Sequence, residues 1–329
     1  MITRIGVIGC GAWGITVAKI CAENQLNVSI WCHHLDFANE INSHQADLLP
    51  GILLPETLQA TTDLKKIVTE SDYLIIAVAS NYIQIMEQIK DFYKQNTPLL
   101  VLTKGLLENQ STLFVSDYIK SILGQASDIS ILSGPNIAIE IAARLPAASV
   151  IASESEEIAI KFQSLLSNSY FRVYRSSDMK GVILGGILKN VIAIAAGAID
   201  GLGLGTNAKS ALMARGLQEM IRLGIYFQAK SETFFGLSGL GDLITTCSST
   251  NSRNWQAGFQ IAKHQTIPDF SKVTTQIAEG VKSARIIHKL AQEVQIEMPI
   301  TSAIYKVLYE TKPIYTAIHE LMQRTLKAE

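Results

Sequence analysis

Cysteine is scarce in this chain: four thiols (Cys10, Cys21, Cys32 and Cys247) occur among 329 residues, and no two form a CxxC pair. That excludes a disulfide scaffold and the usual spacing of a thiolate metal site. Three of the four lie in apolar strand or helix surroundings, where a free thiol behaves as a small hydrophobe, so a reducing, cytoplasmic setting is expected. Charge is also sparse, at 17% of residues against 48% hydrophobic, and it is balanced: 28 basic and 29 acidic side chains give a formal net charge of −1. No basic block could neutralise a row of phosphates, so no nucleic-acid partner is expected. The N-terminal residues lack a charged region, a long apolar stretch and a small-residue cleavage site in succession, so no signal peptide is expected. Low charge with many hydrophobics excludes intrinsic disorder and permits a large core in one or two domains.

Short runs rich in Val, Ile and Leu are plentiful in the first half, and they alternate with amphipathic stretches. This is the pattern of a parallel sheet covered by helices. Strands are predicted at residues 5–8, 28–32, 73–78, 99–102, 129–132, 148–152 and 171–174, with helices at 13–24, 82–92, 113–123 and 156–166. Two prolines and a glycine within 49–55 predict an inserted loop. Past about residue 179 the strand pattern stops, and the spacing of Ala211, Leu212, Ala214, Leu217, Met220 and Ile221 is helical. The expected fold is therefore α/β: a Rossmann-type dinucleotide-binding domain over 1–178, then an all-helical substrate and catalytic domain over 179–329. The stretch 182–199 is apolar enough to raise the question of a membrane span. Lys189 and Asn190 at its centre, with Gly185, Gly186 and Gly197, favour a buried helix and no integral membrane segment.

The dinucleotide assignment rests on Gly9-Cys10-Gly11-Ala12-Trp13-Gly14, which follows the first strand and opens the first helix. In that setting Gly9 permits the tight turn, Gly11 lets the backbone approach a pyrophosphate, and Gly14 allows close packing of helix on strand. A tight turn with no ligand is the competing reading. A carboxylate that would bind a free ribose 2′-hydroxyl is missing from the end of the second strand, which reads Trp31-Cys32-His33-His34. His33 or His34 could instead partly neutralise a 2′-phosphate, which favours NADP over NAD or dual use of both.

Several groups could do chemistry. Lys104, in Thr103-Lys104-Gly105, and Ser133-Gly134-Pro135-Asn136 both follow strands, at the sheet edge where ligands bind. Lys189 stands on an apolar, small-residue helix, where burial would lower its pKa toward neutrality and suit it to proton transfer; a head that snorkels to water is the alternative. Gly236-Leu237-Ser238-Gly239-Leu240-Gly241-Asp242 has glycines dense enough to predict backbone lying close to a ligand or to another segment. Ser252-Arg253-Asn254 supplies hydroxyl, guanidinium and amide donors suited to a phosphate monoester, or else a capped helix start. No metal site is expected.

These motifs, in order, resemble bacterial NAD(P)-dependent glycerol-3-phosphate dehydrogenases over nearly the whole chain: GCGAWG, TKG at 103–105, SGPN at 133–136, LKNVIAIAAG at 188–197, DGLGLGTNA at 200–208, ARGLQEM at 214–220, GLSGLGDLITTC at 236–247, SRN at 252–254 and AEG at 278–280. The resemblance implies reversible hydride transfer between NAD(P)H and dihydroxyacetone phosphate, giving sn-glycerol 3-phosphate for phospholipid synthesis. It implies Lys189, Lys104 and Asp242 as catalytic residues. It adds Gly134, Asn136, Ser252, Arg253 and Asn254 as substrate contacts. Gly9, Gly11, Ala12, Trp13, Gly14, His33, Lys104, Ala138, Arg253, Ile277 and Glu279 fall on cofactor-contacting positions, with His33 where the family frequently has Arg. A homodimer is expected, since helical second domains of this kind often pair. The alternatives are a related two-domain NAD(P)-dependent dehydrogenase of another hydroxy or keto acid, and an NADP-binding sensor without turnover.

Overall fold

Near-continuous apolar runs can be buried on both faces only inside a sheet covered by helices, and that is where the first half of the chain puts them. The computed structural model describes residues 3–107, 113–125, 128–264 and 279–326. The chain divides into two compact units, Met1–Val182 and Ile183–Glu329.

In the first unit, strands β1 (Arg4–Ile8), β2 (Asn27–Trp31), β3 (Leu58–Thr61), β4 (Tyr73–Ile76), β5 (Leu99–Val101), β6 (Ile129–Ser133), β7 (Ala147–Ser153) and β8 (Phe171–Ser176) form one sheet in the order 3-2-1-4-5-6-7-8. Each neighbouring pair is parallel except β6 with β7. Strand order therefore reverses at β1, the topological switch point where open α/β sheets bind ligands beyond their carboxyl ends. The helices are α1 (Ala12–Glu23), α2 (Leu35–Asn42), α3 (Leu64–Glu70), α4 (Ile85–Ile89), α5 (Val115–Leu123), α6 (Ala138–Ala142) and α7 (Glu156–Leu166). Helix α1 is buried from Gly14 through Ala22, in a core that also holds Val7, Ile30, Phe162 and Phe171.

The differences from the sequence prediction have local causes. Strand β3 was not predicted because Leu58-Gln59-Ala60-Thr61 buries fully only Leu58 and pairs only with β2 at the sheet edge. The helix expected over 82–92 is shorter, a 3₁₀ turn at Ser80–Tyr82 followed by α4. Helices α2, α3 and α6 are also additions; each has eight residues or fewer, too short for periodicity to register. Residues 43–57 contain no helix or strand, and Leu49 and Leu54 anchor this loop in the core.

Helix α8 (Met179–Leu202) leads into the second unit, followed by α9 (Gly205–Tyr226), a 3₁₀ turn (Ser231–Phe235), a π-helical turn (Leu237–Gly241), α10 (Asp242–Ser248), α11 (Arg253–His264), α12 (Glu279–Glu293), α13 (Pro299–Tyr309) and α14 (Ile314–Met322). Helix α8 is long and apolar enough to cross a membrane, but 94% of its most apolar window is buried inside the protein. It is the core helix of this unit. Buried Glu219 of α9 ties down the start of α13, accepting from the backbone N–H groups of Ile300 and Thr301 and from the Thr301 hydroxyl. Burial pushes the Glu219 carboxyl upward in pKa, and those donors oppose it.

Candidate active site

In the first unit the turn after β1 stands at the switch point. Gly9 has φ +114°, and a Cβ there would come within 2.9 Å of the Ala77 backbone. A Cβ on Gly14 would lie 2.2 Å from the Gly9 carbonyl oxygen. Both glycines are therefore required by the fold itself. Gly11 is different: a Cβ there meets nothing within 4 Å, and its φ of −69° suits any residue. Its open side is where a pyrophosphate would approach. Helix α1 starts beside it with no side-chain cap and no acidic residue in its first turn, so its N–H groups and positive dipole end are available to an anion.

Other predicted residues gather at the same carboxyl edge. Thr16 on α1 donates to the carbonyls of Ala12 at 2.8 Å and Ala138 at 3.2 Å, which fastens the start of α6 to α1. Lys104 Nζ, beyond β5, donates to the Gly134 carbonyl at 3.3 Å, beyond β6. Asn136 Oδ1 accepts from Ser149 Oγ, while its Nδ2 is buried and unpartnered, as are Ser133 Oγ and Trp13 Nε1. Leaving buried donors unmade costs about 1–3 kcal/mol each, a cost a bound ligand can remove. The open glycine, the uncapped helix and these donors fit a dinucleotide. His33 is exposed just past β2, its ring 4.6 Å from that of His34 and 5.9 Å from that of Trp31.

Gly11→Ala separates the fold's needs from the ligand's. Tm should change by less than about 2 °C, because neither space nor φ opposes the methyl group. NADPH affinity should fall at least about tenfold, because the methyl occupies the approach side. Thermal melting and a nucleotide fluorescence titration check both halves, and an unchanged Kd would move the pyrophosphate elsewhere.

The second unit is organised around Lys189. A Cβ on Gly185 would sit 2.4 Å from the Ser238 carbonyl oxygen, so the glycine admits the π-helical turn directly onto α8. Four residues on from each contact, Lys189 on α8 meets Asp242 at the start of α10. The dense glycines of 236–241 thus bring backbone against another segment, one of the two predicted outcomes. Lys189 Nζ donates to Asp242 Oδ1 and to Thr246 Oγ1, the latter at 2.9 Å, and Thr246 donates to Asp242 at 3.3 Å. Lys189 and Asp242 are 8% and 1% exposed, so the lysine does not snorkel: its charge is balanced internally.

A hydrogen-bonded relay adjoins this pair. Asn254 Nδ2 donates to Asn190 Oδ1 at 2.9 Å, and Asn254 Oδ1 accepts from Gly280 N–H at 3.0 Å, joining α8, α11 and α12. Ser252 Oγ accepts from Trp255 N–H at 3.3 Å and caps α11, whose first residue is the exposed Arg253. Glu279 opens α12, and Ile277 lies outside the described residues. Thr246 and Asn190 were not singled out from sequence as site residues. Thr246 follows Asp242 by one helical turn, and that i, i+4 spacing was the available signal.

Comparisons with known families cover nearly the whole chain. The family model described as NAD-dependent glycerol-3-phosphate dehydrogenase N-terminus matches residues 4–159, and its C-terminus counterpart matches residues 178–319. The chain belongs to the NAD-dependent glycerol-3-phosphate dehydrogenase family. It is 40% identical over 331 residues to glycerol-3-phosphate dehydrogenase [NAD(P)+] of Syntrophotalea carbinolica, covering 99% of both chains. The enzyme of the same name from Bacillus licheniformis is 39% identical, over 98% of this chain and 94% of that one. The crystal structure of glycerol-3-phosphate dehydrogenase from Coxiella burnetii superposes with a TM-score of 0.92 at 35% identity, covering 98% of this chain and 99% of that one. Membership makes this an NAD(P)-dependent oxidoreductase with a dinucleotide-binding N-terminal domain and a helical C-terminal domain.

Proposed function

We propose that this dehydrogenase reduces dihydroxyacetone phosphate to sn-glycerol 3-phosphate, reversibly, in the cytoplasm, where the product supplies the backbone of phospholipids. The observation that carries the proposal is the Lys189 ammonium, held by Asp242 and Thr246 on a buried helix of a chain with this family membership. The nicotinamide, when bound, supplies the hydride that reduces the ketone carbon. Lys189 gives a proton from Nζ to the developing alkoxide, a contribution of roughly 10²–10⁴ in rate for a positioned acid. Asp242 holds the lysine oriented and charge-balanced, and Lys104 adds positive potential at the reacting oxygen. Ser252, Arg253 and Asn254 take the phosphate of the substrate, Arg253 through its guanidinium fork and the others from the start of α11. Gly134 and Asn136 contact the substrate from the sheet edge. Binding energy at the non-reacting end is thereby used to fix the carbonyl for reaction. Gly9, Gly11, Ala12, Trp13, Gly14, His33, Ala138, Ile277 and Glu279 contact the cofactor, with Lys104 and Arg253 shared between the two ligands.

NADPH oxidation followed optically with dihydroxyacetone phosphate tests the reading. Turnover is expected with the phosphorylated ketone and little with dihydroxyacetone; no consumption despite tight NADPH binding would make the chain a sensor. NADPH is the preferred cofactor in this proposal because His33, not a carboxylate, occupies the end of β2. His33→Ala should lower kcat/KM for NADPH several-fold, about one charge-assisted hydrogen bond's worth, and leave that for NADH nearly unchanged. A constant ratio of the two would reject it. A homodimer belongs to the same proposal, supported by the exposed apolar side chains Ile225, Tyr226 and Phe235 of the helical unit.

A further inference from the structure

Strands β7 and β8 run against the rest of the sheet, so their starts, not their ends, lie at the edge where ligands bind. The β6/β7 register pairs Ser133 with Val150, and one residue further it sets Gly134 opposite Ser149. A Cβ on Gly134 would come 3.0 Å from the Ser149 Cα and 3.2 Å from its Oγ. The missing side chain thus leaves the Ser149 hydroxyl open to the turn that follows Gly134. That hydroxyl belongs to a fully buried residue, and it donates to Asn136 Oδ1. Asn136 Nδ2 is buried too and has no partner among the described residues. At the same turn Lys104 Nζ donates to the Gly134 carbonyl at 3.3 Å.

We propose that Ser149 is a positioning residue that fixes the Asn136 carboxamide as a donor, with Nδ2 given to an oxygen of the substrate. The inference rests on the reading that Asn136 contacts dihydroxyacetone phosphate.

An asparagine amide exchanges its oxygen and nitrogen by a half-turn of its last torsion, and the two ends offer a ligand opposite chemistry. Ser149 removes that choice. Its proton is shielded from solvent, and donation to Oδ1 satisfies both the hydroxyl and the amide oxygen. The Nδ2 hydrogens then remain for the ligand. The reversed amide would donate to Ser149 Oγ, leaving the serine proton unplaced and the amide oxygen turned to the ligand. A ketone or phosphate oxygen only accepts, so it could not pair with that amide oxygen. The observed orientation therefore suits a substrate rich in acceptors, as a phosphorylated ketone is. Looking past the ends of strands for ligand contacts misses Ser149, because it stands near the start of a reversed strand.

Ser149→Ala tests the assignment in steady-state kinetics and ligand titration. The variant removes one oxygen, so Tm should fall by about 4 °C at most, and Kd for NADPH should stay within about twofold of wild type. KM for dihydroxyacetone phosphate should rise about three- to tenfold, the worth of one neutral hydrogen bond, with kcat within about twofold. Asn136→Ala should raise KM by at least as much. Adding Ser149→Ala to it should change KM no further, because no amide is left to position, whereas a merely structural serine would act additively. The inference is overturned if Ser149→Ala leaves KM unchanged, if it weakens NADPH binding instead, or if the two substitutions multiply in KM. Wild-type turnover of dihydroxyacetone phosphate is measured first. Its absence would overturn the proposed activity and this inference together, whereas normal turnover with an unchanged KM in Ser149→Ala would overturn this inference alone.

Discussion

Lys189→Met is expected to lower kcat for dihydroxyacetone phosphate reduction by at least about 100-fold, with NADPH affinity within about twofold of wild type. The substituted side chain keeps the stem and removes only the ammonium, so α8 retains its packing while the proton donor disappears. A second effect accompanies the first. Asp242 is 1% exposed, and its carboxylate would lose its ammonium partner while keeping the Thr246 hydroxyl. Removing one member of a buried ion pair costs about 3–5 kcal/mol, so the variant should melt well below wild type. The two effects separate in a double variant. Lys189→Met with Asp242→Asn removes both charges and should recover most of the lost stability, with no recovery of kcat. If the stabilised double variant regained turnover, Lys189 would be a structural residue and the proton would come from elsewhere.

How much of this site could be read in the residues depends on whether a feature is local. The cofactor turn was legible because its glycines answer to backbone needs a few residues apart: Gly9 to its positive φ, Gly14 to the Gly9 carbonyl, Gly11 to open space. The alternation of strand and helix was legible for the same reason. β3 was not, because an edge strand with one fully buried residue carries almost no periodic signal. The polar network of the helical unit was legible only as a set of candidates. Lys189 and Asp242 are 53 residues apart in sequence, and their contact depends on Gly185 admitting Ser238, a long-range fit that no spacing rule encodes. The same applies to Asn254. Its residue type suggested a donor for phosphate, while the structure also engages its amide with Asn190 and Gly280. Ser252 was weighed as either ligand contact or cap, and the cap is present.

The fold of the helical unit itself makes the other large prediction. Gly258→Ala should destabilise it by about 3 kcal/mol or more, although alanine is the better helix former by about 1 kcal/mol. A Cβ on Gly258 of α11 would lie 1.8 Å from the Ile194 carbonyl oxygen of α8, and reciprocally a Cβ on Gly197 would lie 1.9 Å from the Trp255 carbonyl oxygen. Both obstacles are backbone, so no rotamer change relieves them and the helices must move apart. Separation would strip contacts from a dense interface that also includes Gly201 and Ala262. It would stretch the Asn190–Asn254 hydrogen bond as well, so activity should fall together with stability. For a unit of this size the expected loss is roughly 6–12 °C in Tm. Gln260→Ala, at an exposed position on the same helix, is the control and should stay within about 0.5 kcal/mol of wild type. Equal melting of Gly258→Ala and the control would show that α8 and α11 do not cross at backbone contact, and would remove the reason this helix carries glycine one turn apart from Asn254.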